Sequence, residues 1–170
     1  TQIKRPDRFL DVAREIKGRG VDLDFFMAGD GELLEACRKR ISDQNLPVTV
    51  LGWQSDIEKV LSAADIVVLT SDNEGTPLSL IQAGMASLPV VTTNVGSVPE
   101  VVLDGVTGLI SSLDVQTIAD ALEKLVLDKD LRDRLGHKAQ EFTLANFGVE
   151  RLVHGHGELY KKLLSSQAKF

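Results

Sequence analysis

Apolar residues along this chain alternate between two rhythms. Short apolar runs at Leu23 to Ala28, Val48 to Leu51, Ile66 to Leu69, Pro89 to Thr92 and Thr107 to Ile110 read as strands. Ile66 to Leu69, β-branched and closed at both ends by polar residues, has the pattern of a buried parallel strand. Between the runs, apolar positions recur at helical spacing. Pro6 with Asp7 opens a helix whose stripe is Phe9, Leu10, Ala13 and Ile16. Gly29-Asp30-Gly31 turns the first strand into a helix from about Glu32 to Asp43, with Asp30 as its N-cap. Ser55 to Glu58 has capping-box spacing and starts a short helix ending near Ala64. Asp114 caps a helix through Leu127, and helices near Leu131 to Leu144 and Val149 to Leu164 complete the chain. Strands and helices alternating through short turns predict an α/β fold with a doubly wound parallel sheet.

Two irregularities qualify that pattern. A doubly wound sheet normally begins with a strand, yet here a helix comes first, preceded only by the polar Thr1 to Arg5. The opening strand is therefore expected to lie outside this chain. In the last helix, Val149, Leu152, Val153, Leu159, Tyr160, Leu163 and Leu164 keep a helical period that Gly155 and Gly157 interrupt. Each glycine costs about 1 kcal/mol relative to alanine. A kink, a crossing between domains and a local bend all fit.

The stretch from Leu69 to Gly84 carries the chemistry. Thr76 is a good N-cap and Pro77 suits a first helical position, so a helix is predicted to start there. The amides of Leu78, Ser79 and Leu80 then lack partners inside the helix, and the helix dipole draws anions to them. A phosphate fits that end. Glu74 precedes the helix, and Gln82 lies one turn beyond Leu78 on the same face. Both side chains can bond neutral hydroxyls.

Composition narrows the partners. The 170 residues are 43% hydrophobic and 26% charged, an ordinary globular make-up. Nineteen basic against 25 acidic residues leave a net charge of −6, which argues against nucleic acid or an anionic membrane as a main partner. The single Cys37 reads as a small residue on a helix flank, since no second cysteine exists to pair with it. No apolar run approaches the roughly 18 residues of a membrane span and no signal-peptide pattern opens the chain, so a cytoplasmic location is expected.

The segments Gly29-Asp-Gly-Glu32, Leu51-Gly-Trp53, Glu74-Gly-Thr-Pro-Leu78, Pro89 to Gly96, Val98-Pro-Glu-Val-Val102, Asp104 to Leu109 and Phe147 to Tyr160 occur in that order. Together they resemble the C-terminal, donor-binding domain of a GT-B glycosyltransferase of the large retaining family 4, which includes bacterial polysaccharide and lipid-glycan enzymes. The resemblance spans nearly the whole chain. It implies that residues 1–170 form the Rossmann-like nucleotide-sugar-binding half of a GT-B fold, with the acceptor-binding N-terminal domain outside this chain. It also implies transfer of a sugar from a nucleotide-diphosphate sugar to a polysaccharide, lipid or small-glycan acceptor, without metal or other cofactor. Peripheral membrane association through the other domain is a further possibility of the family.

The same resemblance assigns roles to residues. The family signature is a glutamate, seven residues and a second glutamate; Glu74 matches the first and Gln82 stands at the second. Glu74 is thereby implied as the catalytic carboxylate at the donor-sugar hydroxyls, and Gln82 as the ribose contact. An amide there replaces a charge-assisted bond of about 1.5–3 kcal/mol by a neutral one of about 1 kcal/mol. Weaker donor binding follows, or a catalytically lapsed homologue that serves as a binding or partner subunit. Gly75, Thr76, Pro77 and Leu78 carry the amides for the diphosphate, and Lys4 matches the family's phosphate-neutralising lysine. Gly52 and Trp53 resemble the base-recognition turn, with packing of Trp53 at the domain edge as the other reading. Gly96 to Glu100 resembles a loop bordering the donor cleft, where Glu100 is either structural or a ligand contact. Gly29-Asp30-Gly31 lacks the third glycine of a dinucleotide fingerprint, Leu34 standing there, so an oxidoreductase is weakly supported. His154 and His156, two apart on a helix, face different directions and do not suggest a metal site, and His137 reads as solvent-facing.

Overall fold

The structure, a computed structural model, describes residues 1–167, and side chains through residue 165. A short 3-10 turn, Gln2–Lys4, leads into α1 (Pro6–Gly18), and β1 (Phe25–Ala28), α2 (Leu34–Asp43), β2 (Val48–Gly52) and α3 (Ile57–Ser62) follow. Next come β3 (Val67–Leu69), α4 (Leu78–Met85), β4 (Val90–Thr93), the four-residue α5 (Val98–Val101) and β5 (Gly108–Ser111). Three helices close the chain: α6 (Val115–Leu127), α7 (Lys129–Phe147) and α8 (Val149–Gln167). The alternation read from the sequence is realised as a parallel α/β fold.

All strand pairs are parallel, in two sheets: β1 with β2, and β3, β4 and β5 in that order. β4 is the middle of the larger sheet and is buried throughout, as expected of a strand covered on both faces. Its alternate side chains feed two cores. Val91 joins Leu10, Ala13 and Ile16 of α1 and Ile118 and Leu122 of α6. Val90 joins Leu80, Ile81 and Ala83 of α4 and Val98 and Val101 of α5. The sheet is therefore doubly wound. At Gly84, an added Cβ would stand 2.5 Å from Thr143 Cγ2, so only glycine lets α4 lie this close to α7.

The helix starts differ from the sequence reading in three places. Asp30 does not cap α2; its carboxylate accepts from the adjacent Gly31 amide at 2.7 Å, and α2 begins only at Leu34. Gly29 and Gly31 both take positive φ, which carries the chain away from helix for longer than the polar turn suggested. Asp56, not Ser55, caps α3, its carboxylate reaching the Lys59 amide at 3.3 Å. α4 begins at Leu78 because Pro77 is extended, with ψ 91°, and Thr76 makes no cap bond. Asp114 caps α6 as expected, accepting from the Gln116 and Thr117 amides. α8 is continuous through Gly155 and Gly157, and its apolar residues, Leu152 and Tyr160 among them, are exposed. Among the described residues no helix is long and apolar enough to cross a membrane.

A polar pin fastens the start of the chain to the end of β3. Arg8, only 6% exposed, donates to the Thr70 carbonyl at 2.7 Å and to Asp72 Oδ1 at 2.7 Å. Arg5 donates to Asp72 Oδ2 at 2.9 Å and also grips Asp7. The Asp72 amide donates to the Ile3 carbonyl, and Thr70 Oγ1 to the Arg5 carbonyl at 3.1 Å. Hydrogen bonds from Arg5 first, and then from Arg8, hold the Asp72 carboxyl below the usual range; Arg5 does the same to Asp7. Because these folded-state pKa values lie below an unfolded value of about 3.9, the stabilisation is complete above that pH and fades as pH falls through the folded values. The urea midpoint is expected to drop between about pH 5 and pH 3, and Arg5→Met to flatten that drop, in equilibrium unfolding followed by circular dichroism.

Candidate functional site

Parallel strands bring all their C-terminal ends to one edge, which in doubly wound sheets is where ligands bind. Here that edge gathers Gly29 to Gly31 after β1, Gly52 and Trp53 after β2, Thr70 to Glu74 after β3 and Asn94 to Ser97 after β4. Ordinary loops would leave Glu74 solvated. Instead it is 8% exposed.

Two donors converge on the Glu74 carboxylate. Lys4 Nζ lies 2.7 Å from Oε1 and 2.8 Å from Oε2, and Ser71 Oγ donates to Oε1 at 2.6 Å. Ser71 is itself fully buried, and its carbonyl accepts from Thr93 Oγ1 at 2.7 Å, tying the end of β3 to the end of β4. The backbone of Glu74 is fixed as well. Its carbonyl accepts from the Ser97 amide at 3.0 Å, and Gly96, at φ 50°, passes so close that a Cβ there would stand 1.9 Å from the same oxygen. Any residue but glycine at position 96 would push this loop off Glu74. The loop thus lies against Glu74 through Gly96 and Ser97, and among the described residues no hydrogen bond joins Glu100 to Glu74.

Lys4 reaches Glu74 because the Arg8 and Arg5 pin holds the N-terminal turn beside β3. Its side chain is half exposed, at 51%, and can swing toward solvent. Beyond Glu74, Gly75 and Thr76 are exposed and lead to the start of α4. The Leu80 and Ile81 amides turn back to the Pro77 carbonyl at 3.0 and 3.3 Å. That corrects the expectation for Leu80, whose amide is used; the Leu78 and Ser79 amides have no backbone acceptor among the described residues. Leu78 is 67% exposed at this helix end.

Gly52 takes φ 67° and its carbonyl accepts from the Gly29 amide at 2.7 Å, joining the ends of β2 and β1. Trp53 is 77% exposed, so it does not pack the domain edge. A cleft of about 330 Å³ lies between the ends of β1 and β3, lined by Lys4, Asp30, Gly31, Leu69 and Thr70 among others. Gln82 is exposed on α4 and lines a different groove with Ser79 and Val60. The structure therefore brings Lys4 and Glu74 into contact, sets Gly75 to Leu78 next to them, and leaves Gly52, Trp53 and Gln82 in separate surroundings. Cys37 is buried, and burial pushes its thiol pKa up. His154 and His156 are exposed, His156 stacking on Tyr160.

Sequence reasoning missed Ser71, Arg8, Asp72 and Thr93. The only local signal was that Thr70 to Asn73 is polar directly after an apolar strand; the partners are distant in sequence.

Comparison with known proteins gives a consistent result. The family described as glycosyl transferases group 1 matches residues 1–142. A UDP-Gal:alpha-D-GlcNAc-diphosphoundecaprenol alpha-1,3-galactosyltransferase of Escherichia coli is 32% identical over 163 residues, covering 92% of this chain and 42% of that protein. An N-acetyl-alpha-D-glucosaminyl L-malate synthase of Bacillus anthracis is 28% identical over 147 residues, covering 85% of this chain and 39% of that protein. The chain thus spans less than half the length of these relatives. Among solved structures, a mutant TarM of Staphylococcus aureus in complex with fondaparinux, alpha-GlcNAc-glycerol and UDP superposes with a TM-score of 0.86 at 28% identity, over 93% of this chain and 33% of that one. With the match covering residues 1–142 and a parallel doubly wound sheet beneath it, this chain belongs to the group 1 glycosyl transferase family and forms one Rossmann-like half of a GT-B fold.

Proposed function

We propose that this chain is the donor-binding lobe of a retaining glycosyltransferase, which moves a sugar from a nucleotide-diphosphate sugar to a glycan or lipid acceptor held by a second lobe. The observation that carries the reading is the buried Glu74 carboxylate shared by Lys4 and Ser71, one short turn from the free amides of α4. TarM, with UDP in its complex, supports a nucleotide donor. A cytoplasmic location accords with donors of this class.

The chemistry follows from an exchange of partners. Lys4 occupies both oxygens of Glu74, so a diphosphate arriving at the start of α4 competes for its ammonium. As Lys4 turns to the diphosphate, it frees Glu74 to accept hydroxyls of the donor sugar, while Ser71 keeps the carboxylate aimed. Bond cleavage leaves positive character on the sugar and builds negative charge on the departing diphosphate. Lys4 and the Leu78 and Ser79 amides stabilise that charge where it develops. Gln82 bonds the ribose through a neutral amide, and Gly52 with Trp53 forms the turn that meets the base. Gln82 also motivates a second reading, a catalytically lapsed homologue that serves as a binding or partner subunit without using the donor.

Four outcomes test the proposal in the full-length protein and this lobe. Glu74→Gln should lower kcat by roughly a hundredfold or more, because a transition-state contact is lost, while Lys4→Met should act mainly on donor affinity, weakening it by about 10- to 100-fold in steady-state kinetics. Gln82→Glu should tighten nucleoside-diphosphate binding by roughly 2- to 30-fold in calorimetric titration; no binding by either form would favour the lapsed homologue. Residues 1–170 alone should bind the nucleotide weakly and transfer no sugar, so turnover by this lobe with any acceptor would refute its assignment as half of a site.

A further inference from the structure

A carboxylate with little access to water must be given hydrogen-bond partners by the protein or by a ligand. Glu74 is in that position, its side chain only 6% exposed. Ser71 serves Oε1 alone, whereas Lys4 reaches both oxygens, so Oε2 has Lys4 as its sole side-chain donor among the described residues. No neighbouring cation stands ready to replace it. Arg5 is committed to Asp7 and Asp72, and Arg8 to Asp72 and the Thr70 carbonyl. The two partners also differ in freedom. Glu74 is anchored through its own carbonyl, held by the Ser97 amide, and through Ser71, held by Thr93. Lys4 is half exposed on the Gln2–Lys4 turn, and its long stem can carry the ammonium elsewhere.

We propose that the Lys4–Glu74 pair discriminates between an intact donor and the spent nucleoside diphosphate, resisting the second and thereby speeding its departure. The inference rests on the proposed function, in which Lys4 serves the diphosphate and Glu74 the donor sugar. Both ligands carry the diphosphate that draws Lys4 away, and both therefore strip Oε2 of its donor. They differ in what replaces it. A donor brings sugar hydroxyls that bond Oε2 in the same step, so the buried carboxylate stays satisfied. A bare diphosphate brings none and leaves a buried anion with Ser71 as its one partner, facing a second anion. Glu74 then competes with the spent ligand for Lys4 and recovers it as the ligand leaves. By linkage, the factor by which the pair weakens diphosphate binding is the factor by which a bound diphosphate weakens the pair. The contact is thus autoinhibitory in the empty site and expels product from the filled one. A carboxylate that only gripped the sugar would have no effect on a ligand without one.

The test is calorimetric titration of the full-length protein with UDP, ADP and GDP in turn, none of which carries a sugar, and whichever binds wild type is carried forward. Glu74→Gln should bind it about 3- to 30-fold more tightly than wild type, chiefly through slower dissociation. In a Lys4→Met background the same substitution should gain less than about twofold, so the two changes are non-additive. Equal gains in both backgrounds would reduce Glu74 to simple repulsion of the diphosphate and overturn the proposal, as would unchanged or weaker binding by Glu74→Gln. A measurement without any change at position 74 guards against a misfolded variant. In wild type carrying isotope-labelled lysine, the Lys4 ammonium resonance, assigned by its absence in Lys4→Met, should shift when the nucleotide is added. A resonance that stays in place overturns the proposal too. Failure of all three nucleotides to bind wild type and Gln82→Glu would overturn the proposed donor site and this inference with it, whereas binding without the gain overturns this inference alone.

Discussion

The position of the site rests on a buried cation. Arg8 lies within the fold with its guanidinium pinned to the Thr70 carbonyl and to Asp72. A buried charge is tolerated only when its hydrogen bonds are met, and removing either partner strands the other, at a cost of several kcal/mol by analogy with buried pairs, less here because Asp72 is partly exposed. This requirement fixes α1 against the end of β3. It is also what delivers Lys4, four residues earlier, to Glu74. The Lys4 ammonium thus stands half-exposed on an anchored turn, while Ser71 and the Ser97 amide fix the Glu74 that it meets.

The fixing of Glu74 extends across the sheet edge. Glu74 is held by bonds to the ends of both β3 and β4, through Ser71, Thr93 and Ser97, so its aim depends on the middle of the larger sheet. The start of α4 is built otherwise. Pro77 stays extended and keeps the helix from beginning early, which leaves the Leu78 and Ser79 amides without a backbone acceptor among the described residues. One strand-turn-helix segment thus carries both the buried Glu74 and the unpartnered backbone amides, with no metal ligand cluster among the described residues.

Much of this was legible in the sequence, for local reasons. The β-branched run at Ile66, the polar turn after it and the proline before an apolar helix are each decided by neighbours in the chain, and they located β3, Glu74 and α4. What escaped depended on distant partners. Ser71 is one of several polar residues in a turn until Thr93 and Glu74 fold onto it, and Arg8 looks like the polar side of an amphipathic helix until Thr70 arrives. Helix starts were misplaced where two good caps compete, as Ser55 and Asp56 do, or where ψ rather than residue type decides, as at Pro77. Trp53 admitted two readings because exposure is a property of the assembled surface.

The break between β1 and β3 has a mechanical meaning. A ladder of backbone hydrogen bonds is stiff, but β1 and β2 meet the rest of this lobe through side chains: Phe9 stacked edge-on against Phe25 at 5.7 Å, and Arg40 of α2 paired with Asp11 of α1. Packed side chains permit small sliding displacements that a ladder forbids. Across these residues the seam between the two sheets is carried by side-chain packing and ion pairs, with Gly52 and Trp53 on one bank and Glu74 on the other.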